Sequence, residues 1–312
     1  MPELPEVQTT VNGINHYTKG LSITDAWTDY FSINYKRKNH IKNKLFFTQF
    51  KKEIIDAKIL KAERRAKNIL IELSNGKTIL IHMKMTGHVL YGKYHMQKKK
   101  DSNKRTTEEW VSIDENSALN DPFNRFIHLV LTLSNGKHLV LSDMRKFAKV
   151  TLLPTESLHD SLDLSGLGPE PLEKNFTAKI LTERLKTKPK RKIKTVLMDQ
   201  SVVSGIGNIY SDEILWASNI HPLSITSRLK PLNIRNIWKH TKIILNRGID
   251  FGGDSMSDYR NLDGLPGEFQ HKHNAYRRTG KKCAKKGCAG TIHRQMIGGR
   301  SAHFCPTHQI LF

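Results

Sequence analysis

The sequence predicts an α+β chain of several domains: an N-terminal helix on a mostly antiparallel β-sandwich, a helical domain, and a small Cys/His-rich β-hairpin at the C-terminus. Three observations predict it. Short alternating apolar runs joined by Asn-Gly turns fill the first half. From about residue 175 the apolar spacing becomes helical. All three cysteines fall within the last thirty residues. A chain of 312 residues is long enough for two or three domains and a sizeable core.

Pro5 suits the first turn of a helix, and Val7, Val11 and Ile14 follow at i, i+4, i+7 spacing. From about residue 21 the pattern alternates, as in Ile69-Leu70-Ile71-Glu72-Leu73, Thr78-Ile79-Leu80-Ile81-His82, Leu129-Val130-Leu131-Thr132-Leu133 and His138-Leu139-Val140-Leu141. Ser74-Asn75-Gly76-Lys77 and Ser134-Asn135-Gly136-Lys137 join them in pairs, a strong hairpin signal. Residues 2–153 therefore read as one helix on a sandwich. Residues 93–124 interrupt it; they are polar, carry Lys98-Lys99-Lys100, and read as an exposed, mobile insertion. Residues 154–174 hold Pro154, Gly166, Gly168, Pro169 and Pro171, the composition of a linker. The helical domain then occupies 175–270 and the hairpin 271–312.

The formal charge is +22 and the pI about 9.9. Such a charge points to a polyanionic partner, nucleic acid first, with a ribosomal or membrane-surface role as the alternatives. No run of about 18 apolar residues occurs, the length that a membrane-spanning helix requires. The N-terminus lacks a basic-then-apolar signal segment, which argues against export. An odd, clustered set of cysteines argues against a disulfide framework and for a metal site in a reducing compartment.

Cys283, Cys288, Cys305 and His308 are spaced as C-x4-C, sixteen residues, then C-x2-H. Two short-spaced pairs of N/S ligands suit tetrahedral Zn2+, and four protein ligands leave no open position, so one structural zinc is expected. His293 and His303 are competitors for the fourth place, but neither makes a short pair with Cys305. From His271 to Phe312 there are nine Lys/Arg and no Asp or Glu, a composition suited to a phosphate backbone. Arg300 lies in Gly298-Gly299-Arg300-Ser301, a candidate hairpin turn that would push it outward.

Two further segments carry chemistry. The chain starts Met1-Pro2-Glu3-Leu4-Pro5-Glu6. Removal of Met1 would leave Pro2 as a secondary amine. An α-amino group has a pKa near ~8 and is partly neutral at pH 7, so it can attack an electrophilic carbon and form a Schiff base. Glu3 and Glu6 place carboxylates beside it for proton transfer. The bland alternative is a terminus whose Pro5 merely opens a helix. Gly205-Ile206-Gly207-Asn208 precedes a helical segment, and its backbone N–H groups are expected to face an anion; plain helix capping is the alternative.

Together these pieces resemble the formamidopyrimidine-DNA glycosylase (Fpg/Nei) superfamily. Its markers are Pro2-Glu3-Leu4-Pro5-Glu6-Val7, Arg64-Arg65-Ala66-Lys67, His82-Met83-Lys84-Met85-Thr86-Gly87 and Asp143-Met144-Arg145-Lys146-Phe147. They continue with Leu167-Gly168-Pro169-Glu170-Pro171-Leu172, Gly205-Ile206-Gly207-Asn208-Ile209-Tyr210 and the terminal finger, in that order. The resemblance covers nearly the whole chain apart from 93–124. It implies a helix-two-turn-helix (H2TH) domain within 175–270, a C-terminal zinc finger, and a bifunctional DNA glycosylase/AP lyase of base-excision repair. The partner implied is double-stranded DNA holding damaged bases or abasic sites, with the target nucleotide flipped out. Pro2 is implied as nucleophile and Glu3 as general acid. Lys67 would contact phosphate and assist β-elimination, and Arg300 would serve δ-elimination. Glu6 would lie in the lesion pocket. His82 and Asn208 would contact phosphate. Met85, Arg145 and Phe147 would fill the gap left by the flipped base. The segment Gly252-Gly253-Asp254-Ser255-Met256-Ser257-Asp258-Tyr259-Arg260-Asn261, then Asp263-Gly264-Leu265-Pro266-Gly267, resembles the lesion-capping loop of the branch that prefers 8-oxoguanine and formamidopyrimidines.

The chain departs from the pattern in three places. The finger is Cys3His with C-x4-C rather than four cysteines. Phe126-x-His128 replaces a His-x-His, with Arg125 as the candidate DNA contact beside it. A DNA-contacting lysine aligns near Pro189, with Lys188 and Lys190 as neighbours; Lys190 is the candidate. The alternatives are a Nei-type enzyme for oxidised pyrimidines, a non-catalytic damaged-DNA-binding protein on this scaffold, and an unrelated zinc-ribbon RNA-binding protein. A bacterial, cytoplasmic, nucleoid-associated monomer is expected.

Overall fold

Pro5 lies in the first turn of α1 (Leu4–Thr18), and Val7, Val11 and Ile14 on one face of that helix are buried. Strand β1 (Ile23–Thr28) precedes α2 (Lys44–Ile54), which the Asn43 side chain caps by accepting from Phe46 N. Strands β2 (Ile59–Arg65), β3 (Asn68–Leu73), β4 (Lys77–His82) and β5 (Gly87–Gly92) follow. Then come β6 (Tyr94–Lys100), β7 (Thr106–Ser112), β8 (Ile127–Leu133), β9 (His138–Asp143) and β10 (Lys149–Pro154). The second half contains α3 (Ala178–Lys186), α4 (Ile193–Leu197), α5 (Asn208–Ala217), α6 (Pro231–Asp250) and a hairpin of β11 (His293–Ile297) and β12 (Arg300–Phe304). This computed structural model describes residues 1–31, 39–100, 106–113, 117–256 and 258–312.

The chain divides into two units. The first takes Met1–Pro2, Glu6–Ser161 and Gly252–Gly267. Its two four-stranded sheets run β1-β8-β9-β5 and β10-β4-β3-β2, with every pairing antiparallel. Both Asn-Gly segments form hairpin turns, and in each the Asn side chain accepts from the N–H two residues on, at 3.2 Å in Asn75 and 3.1 Å in Asn135. Ile69, Ile71, Ile79, Ile81, Leu129, Leu131, Leu139 and Leu141 share one core with the α1 residues. The alternate strand residues Val130 and Val140 belong to a second cluster with Leu90 and Tyr94, so the β1-β8-β9-β5 sheet is covered on both faces.

Two segments differ from their sequence-based assignment. The described residues of the insertion at 93–124 are mostly exposed or half-buried, but residues 94–100 and 106–112 form an antiparallel hairpin that sequence did not signal. Tyr94 is buried, and Trp110 and Leu119 pack beside it against the sandwich. Lysine-rich composition hid the apolar residues that fold this segment back; its residues 101–105 and 114–116 lie outside those described. The second segment is Gly252–Gly267, assigned by position to the helical domain. It packs with the β-rich unit, because Leu262 enters the sandwich core and Tyr91 N donates to Leu262 O at 2.8 Å.

The second unit takes Glu3–Pro5, Leu162–Phe251 and Glu268–Phe312. Leu4 is buried in its core with Leu181, Val196, Ile214 and Leu245. Helix α5 contributes two wholly buried acids in succession. Asp212 Oδ1 takes Lys194 Nζ of α4 at 2.6 Å, a pair with no exposure on either side. Its Oδ2 accepts from His303 N and faces His303 Nδ1, both at 2.9 Å, on β12. Glu213 accepts the N–H groups of Asn274, Ala275 and Tyr276. The hairpin is thus held to the helices by carboxylates whose acceptors are used. Removing one member of a buried pair leaves an uncompensated charge, at about 3–5 kcal/mol. Asp212→Ala should therefore lower unfolding stability by that amount in urea titration, and replacing Lys194 with Met in the same chain should restore a large part of it.

Candidate functional site

The α5 N-terminus is an anion site, as its sequence predicts, but the anion is the chain's own. Glu3 Oε2 accepts from Gly207 N at 2.7 Å and Tyr210 N at 3.4 Å, and Oε1 accepts from Ile209 N at 2.9 Å. These donors carry the positive end of the helix dipole. They are engaged by Glu3, so the anion they face is internal. A Cβ on Gly207 would collide with the Glu3 carboxyl group, so only glycine permits this approach. Leu4 N donates to Gly205 O at 3.0 Å. Glu3 is 2% exposed, and Pro2 beside it is buried.

In the β-rich unit, three turns carry Lys67, Met85, Arg145 and Phe147. Each contains a non-glycine residue with left-handed backbone next to a site residue: Ala66 (φ 54°), Lys84 (φ 56°) and Lys146 (φ 53°). Such conformations cost about 1–3 kcal/mol and persist only where the surroundings impose them. Lys67 is buried. The other three form one cluster. Arg145 Nη1 lies 3.4 Å from Met85 Sδ, and its guanidinium stands 4.5 Å from the centroid of the Phe147 ring. Met85 is 43% and Phe147 48% exposed, which excludes the ordinary reading of both as core residues. Buried Asp143 supports two of the turns by accepting from Thr86 Oγ1 and from Ala148 N at 2.7 Å.

Glu6 is 1% exposed. Its Oε1 accepts from Asp254 N at 2.7 Å, and its carbonyl accepts from Tyr259 Oη at 3.0 Å. Gly253 has φ +88°, and a Cβ there would lie 2.8 Å from Glu6 Cγ. Glu6 therefore anchors the 252–267 segment. His82 Nδ1 accepts from Lys84 N at 3.0 Å, leaving Nε2–H as a donor. Burial foremost, with the charges of Lys84 and Lys67, pushes its pKa down to about 3, so this imidazole is neutral. Arg125 is exposed, with its guanidinium 5.0 Å from the Phe126 ring centroid. Lys190 is exposed between α3 and α4.

In the helical unit, Asn208, Arg277, Arg294, Ser301 and His303 line one polar cleft. Gly298 and Gly299, both with positive φ, make the two-residue turn between Ile297 and Arg300, and Arg300 is exposed. Cys283, Cys288, Cys305 and His308 offer ligand atoms all within 4.8 Å of one another. Zn–S bonds of ~2.3 Å set tetrahedral sulfurs about 3.8 Å apart. Cys288 and Cys305 stand 3.7 Å apart, and Cys283 Sγ lies 3.3 Å from His308 Nδ1. His308 Nε2 faces Trp216 O at 3.2 Å, which leaves Nδ1 for a metal. The four residues fit a metal-binding site. His303, the competitor in sequence, is held by Asp212 instead. Sequence reasoning missed the anchoring roles of Asp143, Asp212 and Glu213, whose partners carry no short-range signal.

A sandwich with a Pro-Glu start and a helical unit closed by a Cys3His hairpin define an H2TH-type DNA glycosylase. Residues 1–150 match the formamidopyrimidine-DNA glycosylase N-terminal domain, and residues 167–260 the formamidopyrimidine-DNA glycosylase H2TH domain. The formamidopyrimidine-DNA glycosylase of Pelotomaculum thermopropionicum is 34% identical over 99% of both chains. That of Streptococcus mutans is also 34% identical, with the same coverage. The solved Lactococcus lactis Fpg bound to abasic-site DNA is similar at TM-score 0.78 and 28% identity, over 98% of this chain and 99% of that one. The same Lactococcus protein has been solved with DNA containing N7-benzyl-Fapy-dG, at TM-score 0.79 and 28% identity over 99% of each chain. It has also been solved with DNA containing an oxidised pyrimidine, at TM-score 0.78 and the same identity and coverage. The chain belongs to the formamidopyrimidine-DNA glycosylase family. No helix among the described residues is long and apolar enough to cross a membrane.

His82 and His88 make stability depend on pH. Burial pushes His88 down to about 4 and His82 to about 3. In the unfolded chain both titrate near ~6.5. Below that value the unfolded state binds protons that the folded state refuses, so stability falls as pH falls from about 6.5 toward 4. Melting curves from pH 7 to pH 4.5 should show the decline. His88→Gln should take up about one proton fewer on unfolding near pH 5.

Proposed function

We propose that the chain is a bifunctional DNA glycosylase and AP lyase that removes oxidised purines, 8-oxoguanine and formamidopyrimidines, from duplex DNA. The observation that carries this reading is Glu3, next in sequence to Pro2, with its carboxylate fixed by three backbone N–H groups. Once Met1 is removed, the Pro2 nitrogen attacks C1′ of the flipped nucleotide. The C1′–base bond breaks, and the base leaves with the bonding pair. The Glu3 carboxylate takes the N–H proton of the attached Pro2 nitrogen and delivers it to the ring oxygen as the C1′–O bond opens, and the lone pair freed on nitrogen closes an iminium. The cation acidifies C2′–H. Loss of that proton expels the 3′ phosphate, and a second elimination expels the 5′ phosphate.

Lys67 serves phosphate contact and β-elimination in this scheme, and Arg300 serves δ-elimination. His82, through its neutral Nε2–H, and Asn208 contact phosphate, with Arg125 and Lys190 as further backbone contacts. Met85 and Phe147 fill the vacated stack, where exposed apolar side chains offset lost stacking. Arg145, held against both, is placed to hydrogen-bond the orphaned partner base. Glu6 and the 252–267 segment enclose the lesion. Cys283, Cys288, Cys305 and His308 would hold one Zn2+ that stabilises the hairpin and takes no chemical step. The protein would act as a monomer on damaged or abasic duplex DNA in the bacterial cytoplasm. Oxidised pyrimidines form the second reading, favoured by the relative solved with such a DNA.

Borohydride trapping tests the scheme. Untagged protein with Met1 removed should cross-link to a duplex bearing 8-oxoguanine opposite cytosine, more strongly than to a 5-hydroxyuracil duplex. A retained N-terminal tag should abolish the band; cross-linking that survives the tag would end the Pro2 assignment. Glu3→Gln and Gly207→Ala should each lower 8-oxoguanine excision by roughly a hundredfold or more with DNA binding retained. Elemental analysis should find one zinc per chain, lost in Cys305→Ser.

A further inference from the structure

The inserted segment touches the 252–267 segment at four named points. Arg260 is 8% exposed on its side chain, and its Nε donates to Asp121 Oδ2 at 3.1 Å. The same guanidinium lies 4.7 Å from the centroid of the Phe123 ring. Asn124 Nδ2 donates to Gly264 O at 3.2 Å and to Ala118 O at 2.9 Å. Gly264 has φ +81°, and a Cβ there would stand 2.7 Å from Ala118 O. The loop backbone is therefore seated directly on the insertion.

The seat itself is fixed from below. Asp121 uses Oδ1 to cap its own turn, accepting from Phe123 N at 2.8 Å, so Oδ2 is oriented before Arg260 meets it. Asn124 is 1% exposed, and its Oδ1 faces Nε2 of buried His88 at 2.9 Å. Leu119, one turn earlier, packs on Tyr94 and Trp110 of the β6–β7 hairpin. The described stretch 117–125 thus runs as a continuous chain of contacts from that hairpin to the loop. The two limbs of the loop differ. Residues 259–264 are held by the insertion, by Tyr91 N on Leu262 O and by Tyr17 Oη on Asp263 Oδ1 at 2.6 Å. The limb toward Met256, 39% exposed, is anchored through Glu6 on Asp254.

We infer that the 117–125 stretch is a buttress for the 252–267 loop, with Asp121, Phe123 and Asn124 as positioning residues that set how the loop encloses an extruded base. This rests on the lesion-enclosing role proposed above for the loop. A salt bridge on an aromatic face with one backbone clamp restricts the loop without touching DNA chemistry. Ordering the loop in advance reduces the conformational cost of closing over a base. An abasic site offers no base to enclose, so strand cleavage there does not draw on the buttress.

The test compares two reactions of the full-length protein under single-turnover conditions. One is excision from an 8-oxoguanine duplex; the other is cleavage of an abasic-site duplex. Asp121→Ala and Phe123→Leu should each lower excision by roughly tenfold, the scale on which mutations in a coupling network act, and leave abasic cleavage within about twofold. Arg260→Lys, which keeps the charge, should lose less than Arg260→Ala. The exchange Asp121→Arg with Arg260→Asp should recover part of the loss. Equal losses on both duplexes, or no loss on either, would overturn the inference. Wild-type protein inactive on both duplexes would instead overturn the function proposed above. Melting curves on each variant separate a fold defect from a shifted ratio, because an unfolded fraction lowers both reactions together.

Discussion

The hydrogen bonds between the Glu3 carboxylate and the first N–H groups of α5 are the constraint on which the candidate site depends. They place an acid one residue from the proposed nucleophile and remove its freedom to turn. They also fix the chain path, because Leu4 N is bonded to Gly205 O and Leu4 is buried among the helices. Residues Glu3–Pro5 therefore belong with the helical unit, although α1 from Glu6 onward belongs with the sandwich. A helix N-terminus attracts any anion. With these N–H groups engaged by an internal carboxylate, the phosphate contacts proposed above fall to side chains such as Lys67, His82 and Asn208.

Much of the architecture was legible because it follows from local rules. The two Asn-Gly turns, the i, i+4, i+7 face of α1 and the paired zinc-type spacing each occupy a short window. The structure has the corresponding hairpins, buried helix face and ligand cluster. The two segments whose packing sequence did not report share a cause. Residues 93–124 are polar by count, but a few side chains, Tyr94, Trp110 and Leu119, decide where they fold. Residues 252–267 follow the helices in sequence, yet one leucine and the Glu6 anchor hold them to the sandwich. A single buried side chain outweighs average composition when its burial contributes about 2 kcal/mol or more, and no periodicity reports it.

The candidate site was legible as a set of residues and illegible as a set of supports. Pro2, Glu3, Lys67, Met85, Arg145 and Phe147 stand in recognisable motifs. That Ala66, Lys84 and Lys146 adopt left-handed backbone beside them could not be read, since alanine and lysine give no sign of it. Glycine at these positions would relax the turns. Their non-glycine identity means that the strain is held by the fold, through groups such as Asp143, which ties Thr86 and Ala148 together. Turns held in this way suit the gap-filling role proposed for Met85 and Phe147.

The anchors show a common logic in the charge distribution. Glu3, Glu6, Asp143, Asp212 and Glu213 are all buried, and each accepts from at least one backbone N–H. Four of them hold an element that carries a proposed site residue, α5, the 252–267 loop, the Arg145 turn and β12, and Glu213 holds the stretch leading into the hairpin. A chain of net charge +22 that binds a polyanion gains nothing from acids on the contact surface, where they would repel phosphate. Placed inside, the same acids satisfy backbone donors that loops would otherwise leave unpaired. Burying a carboxylate is tolerable only when such donors or a cation surround it. Anionic clamps beneath a cationic surface therefore resolve two demands at once. The loops proposed to present basic and apolar side chains to DNA are held by buried acids, and the field that phosphates would meet stays positive.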